Sequence, residues 1–239
     1  MKPILILLPL LILLSLASCD KVREVQPKTM DSVPLGVVQA VHQAFPAAQS
    51  VTFTNLEKGR TWQADFTQSA ARFAAYLKAN GQFLETTRQT TTLPEPASSY
   101  IRKMFPGATI ELIAESLYDG QVTAYKVSIL DAKTTRTILF NQLGQVVLVT
   151  DESPSGSTTA TYPVAQVDLP AAIQDYMTKT MGTAYSFERA GVVLNGNQKT
   201  YTVIVRKEAT LSAFYFDETG NPFGPVICQP VAYGDSFRR

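Results

Sequence analysis

Hydrophobic and polar positions along this chain follow two periods, and the switch from one to the other occurs three times. Val37, Val41 and Phe45 fall at i, i+4 and i+8; Ala97, Ile101 and Met104-Phe105 repeat the spacing, as do Ile173, Met177 and Met181. Such spacing draws one apolar stripe along a helix of 3.6 residues per turn, so it predicts three amphipathic helices. After each stripe the period becomes two. Trp62, Ala64 and Phe66 alternate with Thr61, Gln63 and Asp65; Tyr125, Val127 and Ile129 alternate with Lys126 and Ser128; Tyr201, Val203 and Val205 alternate with Thr202, Ile204 and Arg206. That alternation predicts antiparallel strands with one covered face. Further strands are expected at 73–77, 137–140 and 212–216. Each runs into a glycine turn: Lys78-Ala79-Asn80-Gly81, Asn141-Gln142-Leu143-Gly144 and Asp217-Glu218-Thr219-Gly220.

The three segments share a framework. With Pro34, Pro94 and Pro170 in register, Pro46, Pro106 and Gly182 lie twelve residues on, preceded by Phe45, Phe105 and Met181. Proline suits a helix start, where a missing N–H loses no partner, and proline or glycine stops the helix at its far end. The first copy is three residues shorter between Pro46 and Trp62, which reads as a shortened hairpin loop. The fold class expected is α+β: tandem α-β-β-β(-β) units with helices packed on one face of antiparallel sheet. No helices alternate with single strands, which excludes a parallel βαβ arrangement. Two units are placed in 32–150, sharing a sheet. A Ser/Thr/Pro/Gly linker is placed at 151–166, and the third unit with the tail at 167–239.

The N-terminus is of another kind. Lys2, an apolar run from Ile4 to Leu14 and small residues before Cys19 have the order and length of a secretory signal, residues 1–18. The run is shorter than the roughly 20 residues a membrane-spanning helix needs. Leu16-Ala17-Ser18-Cys19 resembles the lipobox of bacterial lipoproteins. That resemblance implies cleavage before Cys19, diacylglycerol attachment to its sulfur and acylation of the new N-terminus. Two or three acyl chains hold a protein stably, where one is marginal. The membrane is therefore one expected partner, through the lipid, and the bacterial cell envelope the expected location. Residues 19–31, polar and without period, read as a tether.

Composition changes the picture mainly by exclusion. Of 239 residues, 45% are apolar and 10% aromatic, enough for buried cores and against disorder. Setting Lys2 aside with the signal leaves 20 basic and 20 acidic side chains, so no basic groove for nucleic acid is expected. With one histidine and two cysteines, no Cys/His metal set can be assembled, and neither metal nor cofactor is expected. His42 has Arg102 and Thr178 at the matching positions of the other units, which reads as solvent-facing. Cys228, in Val226-Ile227-Cys228, reads as a small buried hydrophobe. Ser99 with Lys103, and Tyr176 with Lys179, have the spacing of a solvated helix face. No nucleophile elbow, phosphate loop or zincin motif occurs, so no catalytic residue is assigned.

The Leu93-Pro94 opening, the Phe105-Pro106-Gly107-Ala108 helix end, Tyr125-Lys126-Val127 and Leu139-Phe140-Asn141 before Gly144 resemble the PepSY-like, β-lactamase-inhibitor-protein-like (BLIP-like) family of bacterial envelope proteins. The resemblance spans about residues 32–226. It implies tandem α+β units and, in the inhibitor that lends its name, a grip through an open sheet face. Unit three departs from the pattern with Met181-Gly182-Thr183-Ala184, and unit one has Trp62 where the others have tyrosine. On the strands, Tyr76, Leu139 and Tyr215 fall in the phase opposite to the helices, beside Gln63, Lys126 and Arg206. Tyrosines among polar groups suit recognition. These six residues are the expected binding face of a non-enzymatic, lipid-anchored protein that takes an envelope protein or peptide. A glycan-binding or structural surface module, and an enzyme inhibitor of the BLIP type, are the alternatives.

Overall fold

The computed structural model describes residues 33–151, 159–182, 184–195, 198–208, 210–224 and 226–230. The signal, Cys19 and the tether lie outside the described residues. Unit one comprises α1 (Leu35–Ala44) and strands β1 (Gln49–Glu57), β2 (Thr61–Gln68), β3 (Ala71–Lys78) and β4 (Phe83–Gln89). Unit two repeats this order with α2 (Glu95–Met104), β5 (Thr109–Tyr118), β6 (Gln121–Asp131), β7 (Thr134–Asn141) and β8 (Val146–Asp151). Unit three has β9 (Thr159–Pro163), a 3-10 turn (Gln166–Asp168), α3 (Ala171–Met181), β10 (Ser186–Asn195), β11 (Gln198–Lys207), β12 (Thr210–Asp217) and β13 (Ile227–Pro230). Strands β1 to β8 form one antiparallel sheet in chain order. The other sheet has the order β13-β12-β11-β10-β9. The fold is α+β.

Each helix ends for a local reason. Phe45 donates its N–H to Val41 O (2.8 Å), and its carbonyl accepts from Ala48 N (3.0 Å). Pro46 thus occupies the second position of a tight turn, where its fixed φ fits. Phe105, Pro106 and Ala108 repeat the arrangement at 2.9 and 3.0 Å. At α3 the same job falls to Gly182, at φ 72°. The stripes are buried: Val37 and Val41, Ala97 and Ile101, Ile173 and Met177. Met104 is a correction to the expected stripe, being 53% exposed. Phe105, one residue on, fills that place because the chain leaves helical geometry there.

The glycine after each third strand has a structural reason. Gly81 has φ 87°, and a Cβ there would meet Gly36 O at 2.4 Å. Gly144 faces Pro94 and Ala97, and Gly220 faces Ala172 and Ile173, in the same way. In every unit the turn between the third and fourth strands of the meander lies against the first turn of that unit's helix. Only a residue with no side chain and a left-handed backbone fits.

Two sequence expectations are corrected. The three-residue deficit of unit one is in its strands. Strand β2 begins one residue before Trp62, while β6 begins four before Tyr125, and the β1–β2 connection is the longer one. The span 151–166 is not simply a linker. It supplies the end of β8, all of β9 and the start of the 3-10 turn, and β9 pairs with β10 from Gly191↔Pro163 to Asn195↔Thr159.

Helices α1 and α2 cover one face of the long sheet, and α3 covers one face of the short one, around three separate cores. The helix-free faces meet each other over part of their area. Leu139, Val147 and Leu148 from unit two form a cluster with Ile204, Leu211, Ala213 and Tyr215 from unit three.

Candidate inter-unit cleft

The six-residue binding face expected from the sequence is largely covered. Leu139 and Tyr215 belong to the cluster between the sheets, and Tyr76 packs against the core of unit three. Burial and the nearby Glu85 and Asp65 carboxylates push the Tyr76 phenol up to about 12. Gln63 is half-buried and donates to both carboxylate oxygens of Asp65, at 2.8 and 2.9 Å. Arg206 donates through Nε to Glu188 Oε1 at 2.7 Å. Lys126 alone of the six is exposed, with Leu112 and Leu130 beside it on the part of the face that stays open. The reason is tertiary: unit three spends its own apolar open-face residues on the same surface. His42 is exposed on α1, and Cys228 pairs with Ser212 along β12.

A cleft appears elsewhere, between the hairpin tips of unit one and the β9–β11 side of unit three. Its volume is about 580 Å³. None of the six expected residues lines it. Glu57, at the end of β1, is its hub. One carboxylate oxygen accepts from the Tyr162 hydroxyl at 2.9 Å, and the other accepts from Lys199 Nζ at 2.9 Å. Arg60 approaches the second oxygen at 3.7 Å. Lys199 also lies 5.1 Å from the centre of the Tyr201 ring. Lys78 of unit one pairs with Asp168 of unit three at 2.6 Å. Outside the cleft lining, Arg189 of unit three binds Glu85 and donates to Ser116 Oγ at 3.1 Å. Leu84, Val164 and Val192 add apolar groups to the lining.

Burial opposes ionisation of Glu57, but the hydrogen bonds from Lys199 and Tyr162 outweigh it and hold the carboxyl below its ordinary 4.5. Burial likewise opposes the charge on Lys199, yet the contacts with Glu57 and Tyr201 leave its pKa raised. A carboxyl with a depressed folded pKa stabilises the fold above its unfolded pKa, and the contribution fades as pH falls through the folded value. The stability gap between the natural protein and Glu57→Gln is therefore expected to be full at neutral pH and to shrink as pH falls below the ordinary carboxyl value of 4.5. Urea unfolding midpoints across that range measure it. A gap that does not change with pH would mean that the Glu57 charge contributes nothing.

The sequence does carry a signal for this site, in the places where unit one breaks the repeat. Asn141 and Asp217 close their turns by accepting backbone N–H groups: Leu143 and Gln145 in one case, Thr219 and Asn221 in the other. The matching residue of unit one is Lys78. There the capping passes to Asn80, which accepts from Gln82 N, and Lys78 is released toward Asp168. The shortened β1–β2 strands do the rest. Three residues fewer across two arms withdraw the tip by roughly 5 Å at 3.3 Å per residue, and Gly59 and Arg60 at that tip line the cleft.

Fold and cleft together define an α+β protein of three helix-plus-meander units, with charged groups gathered between the first and the third. No family model matches the chain, and no curated protein does. Solved structures similar to it include a DUF2874 family protein from Bacteroides uniformis ATCC 8492, at 16% identity and a TM-score of 0.44, covering 49% of this chain and 88% of that one. A BLIP-like protein from Bacteroides fragilis NCTC 9343 is similar at 15% identity and 0.43, covering 51% and 87%. A DUF2874 family protein from Bacteroides ovatus ATCC 8483 is similar at 11% identity and 0.45, covering 51% and 89%.

Proposed function

We propose that this chain is a non-catalytic, lipid-anchored protein of the bacterial cell envelope that binds a ligand in the cleft between units one and three. The observation that carries the reading is the cleft itself. Its volume falls in the range of small-molecule sites, and it is lined by a few convergent polar groups together with apolar side chains. The departures of unit one from the repeat, Lys78 and the short β1–β2 strands, both open onto it. A fragment library of neutral, anionic and cationic members tests the reading by amide NMR on the Cys19→Ala chain. Binding fragments are expected to shift Thr61, Ala79 and Val192, and Ala79→Trp is expected to abolish those shifts. Shifts confined to other surfaces would overturn the proposal.

Anchoring has its own check. Growth with a labelled fatty acid is expected to label the natural chain and to leave Cys19→Ala unlabelled; label retained in Cys19→Ala would remove the anchor from the proposal.

A second reading keeps the sheet face, reduced to what stays open. Leu112 and Leu130 are 40% and 39% exposed, and with Lys126 they form a small mixed surface on β5 and β6 that suits a protein or peptide. The glycan reading loses its best platform, because Trp62 is only 4% exposed within the core of unit one.

A further inference from the structure

We infer that the inter-unit cleft takes a small carboxylate with an apolar body, held by Arg60; this rests on the cleft being a ligand site. The charges lining the cleft are unequal in number and in occupation. Among the described residues three are cationic, Arg60, Lys78 and Lys199, against two carboxylates, Glu57 and Asp168. Both carboxylates are engaged at short range. Glu57 accepts from Lys199 and Tyr162, and Asp168 holds Lys78 at 2.6 Å. Arg60 is the group with capacity left. Its side chain is 79% exposed, and among the described residues it meets Glu57 through Nη1 at 3.7 Å. A guanidinium offers five N–H donors in a planar fork that matches a carboxylate, and at 79% exposure most of that fork is open to solvent.

Cationic and neutral ligands fit the cleft less well. A cationic ligand would have to displace Lys199 or Lys78 from a carboxylate already bonded. A neutral ligand would gain the apolar contacts but nothing from the Arg60 charge. A carboxylate with an apolar body gains both, because Leu84, Val164 and Val192 line the same cleft as Arg60. The volume, about 580 Å³, admits an acylated amino acid or a compound of that size, or the last residue of a peptide.

N-acetyl-phenylalanine and its C-terminal amide, which share a body and differ in charge, make the test. Both are titrated by amide NMR into the Cys19→Ala chain and into the same chain with Arg60→Gln or Arg102→Gln. Arg102 is the control, an exposed arginine paired with Glu95 on α2. The acid is expected to bind at Thr61 and Ala79 at least about tenfold more tightly than the amide. It is expected to lose about that factor in Arg60→Gln and none in Arg102→Gln. The amide's affinity should not change in Arg60→Gln. Amide and acid binding the cleft equally, or acid binding indifferent to Arg60→Gln, would overturn the carboxylate inference and leave the cleft a ligand site. Absence of cleft shifts from the acid, the amide and every library fragment would overturn both. A third ligand, N-acetyl-Ala-Ala-Phe, separates the sources. Binding as tight as that of N-acetyl-phenylalanine assigns the carboxylate to a peptide end, and weaker binding assigns it to a free small acid; either supports the inference.

Discussion

Gly81→Ala is expected to destabilise the protein by about 3 kcal/mol, against about 1 kcal/mol for Gly59→Ala. Both glycines have left-handed backbones, at φ 87° and 71°. Both alanines therefore carry the conformational penalty of an L-residue there, about 1–2 kcal/mol. The surroundings differ. A Cβ at Gly59 meets nothing within 4 Å, whereas one at Gly81 meets Gly36 O at 2.4 Å. That oxygen is backbone at the start of α1, and it can move only if the helix shifts off its turn. Urea unfolding of the two variants measures the difference. Equal losses would show that the turn does not press on the helix, and the repeated glycine would be a turn residue only.

Ile204→Ala is expected to lose about 2–3 kcal/mol, while Lys126→Ala stays within about 0.5 kcal/mol of the natural protein. Both residues alternate onto the helix-free face of their sheets, Ile204 on β11 and Lys126 on β6. From periodicity alone they are equivalent open-face positions. In the fold Ile204 is 3% exposed, between its own strand neighbours and Leu139 and Leu148 of unit two, while Lys126 is exposed. Removing three carbons from a closed seam leaves a cavity; shortening a solvated lysine does not. Equal unfolding midpoints for the two variants would mean that the sheets do not pack together.

These contrasts show where sequence reading reached and where it stopped. The helices at 35–44, 95–104 and 171–181 were legible, because a stripe of Val, Ile, Ala and Met at helical spacing is a property of neighbouring residues. So were the strands around Trp62, Tyr125 and Tyr201, and the glycine turns. The seam was not. Ile204, in a phase otherwise held by Thr202 and Arg206, reads as an exception, and Leu139 and Tyr215 read as a binding surface. Both readings assume that a sheet face without a helix meets water. Unit three removes that condition by placing its own apolar residues there. The cleft was legible only in outline, through Lys78 where the other units have Asn141 and Asp217. A broken repeat marks a position, but it does not name the partner.

Local order in this chain follows from the spacing of residues close together: the thrice-repeated helix, meander and glycine turn, and the Phe-Pro stops of the first two helices. Each is settled within a few turns or strands, where backbone sterics and apolar periodicity act. The tertiary structure alone decided which faces are covered and which charges meet. Tyr162 reaches Glu57 across 105 residues of sequence and Lys199 reaches it across 142. Arg189 reaches Glu85 across 104. No period in the sequence encodes such pairs, because they depend on how one finished unit docks on another. That docking is set by the match of two whole surfaces, apolar at the seam and charged at its edge.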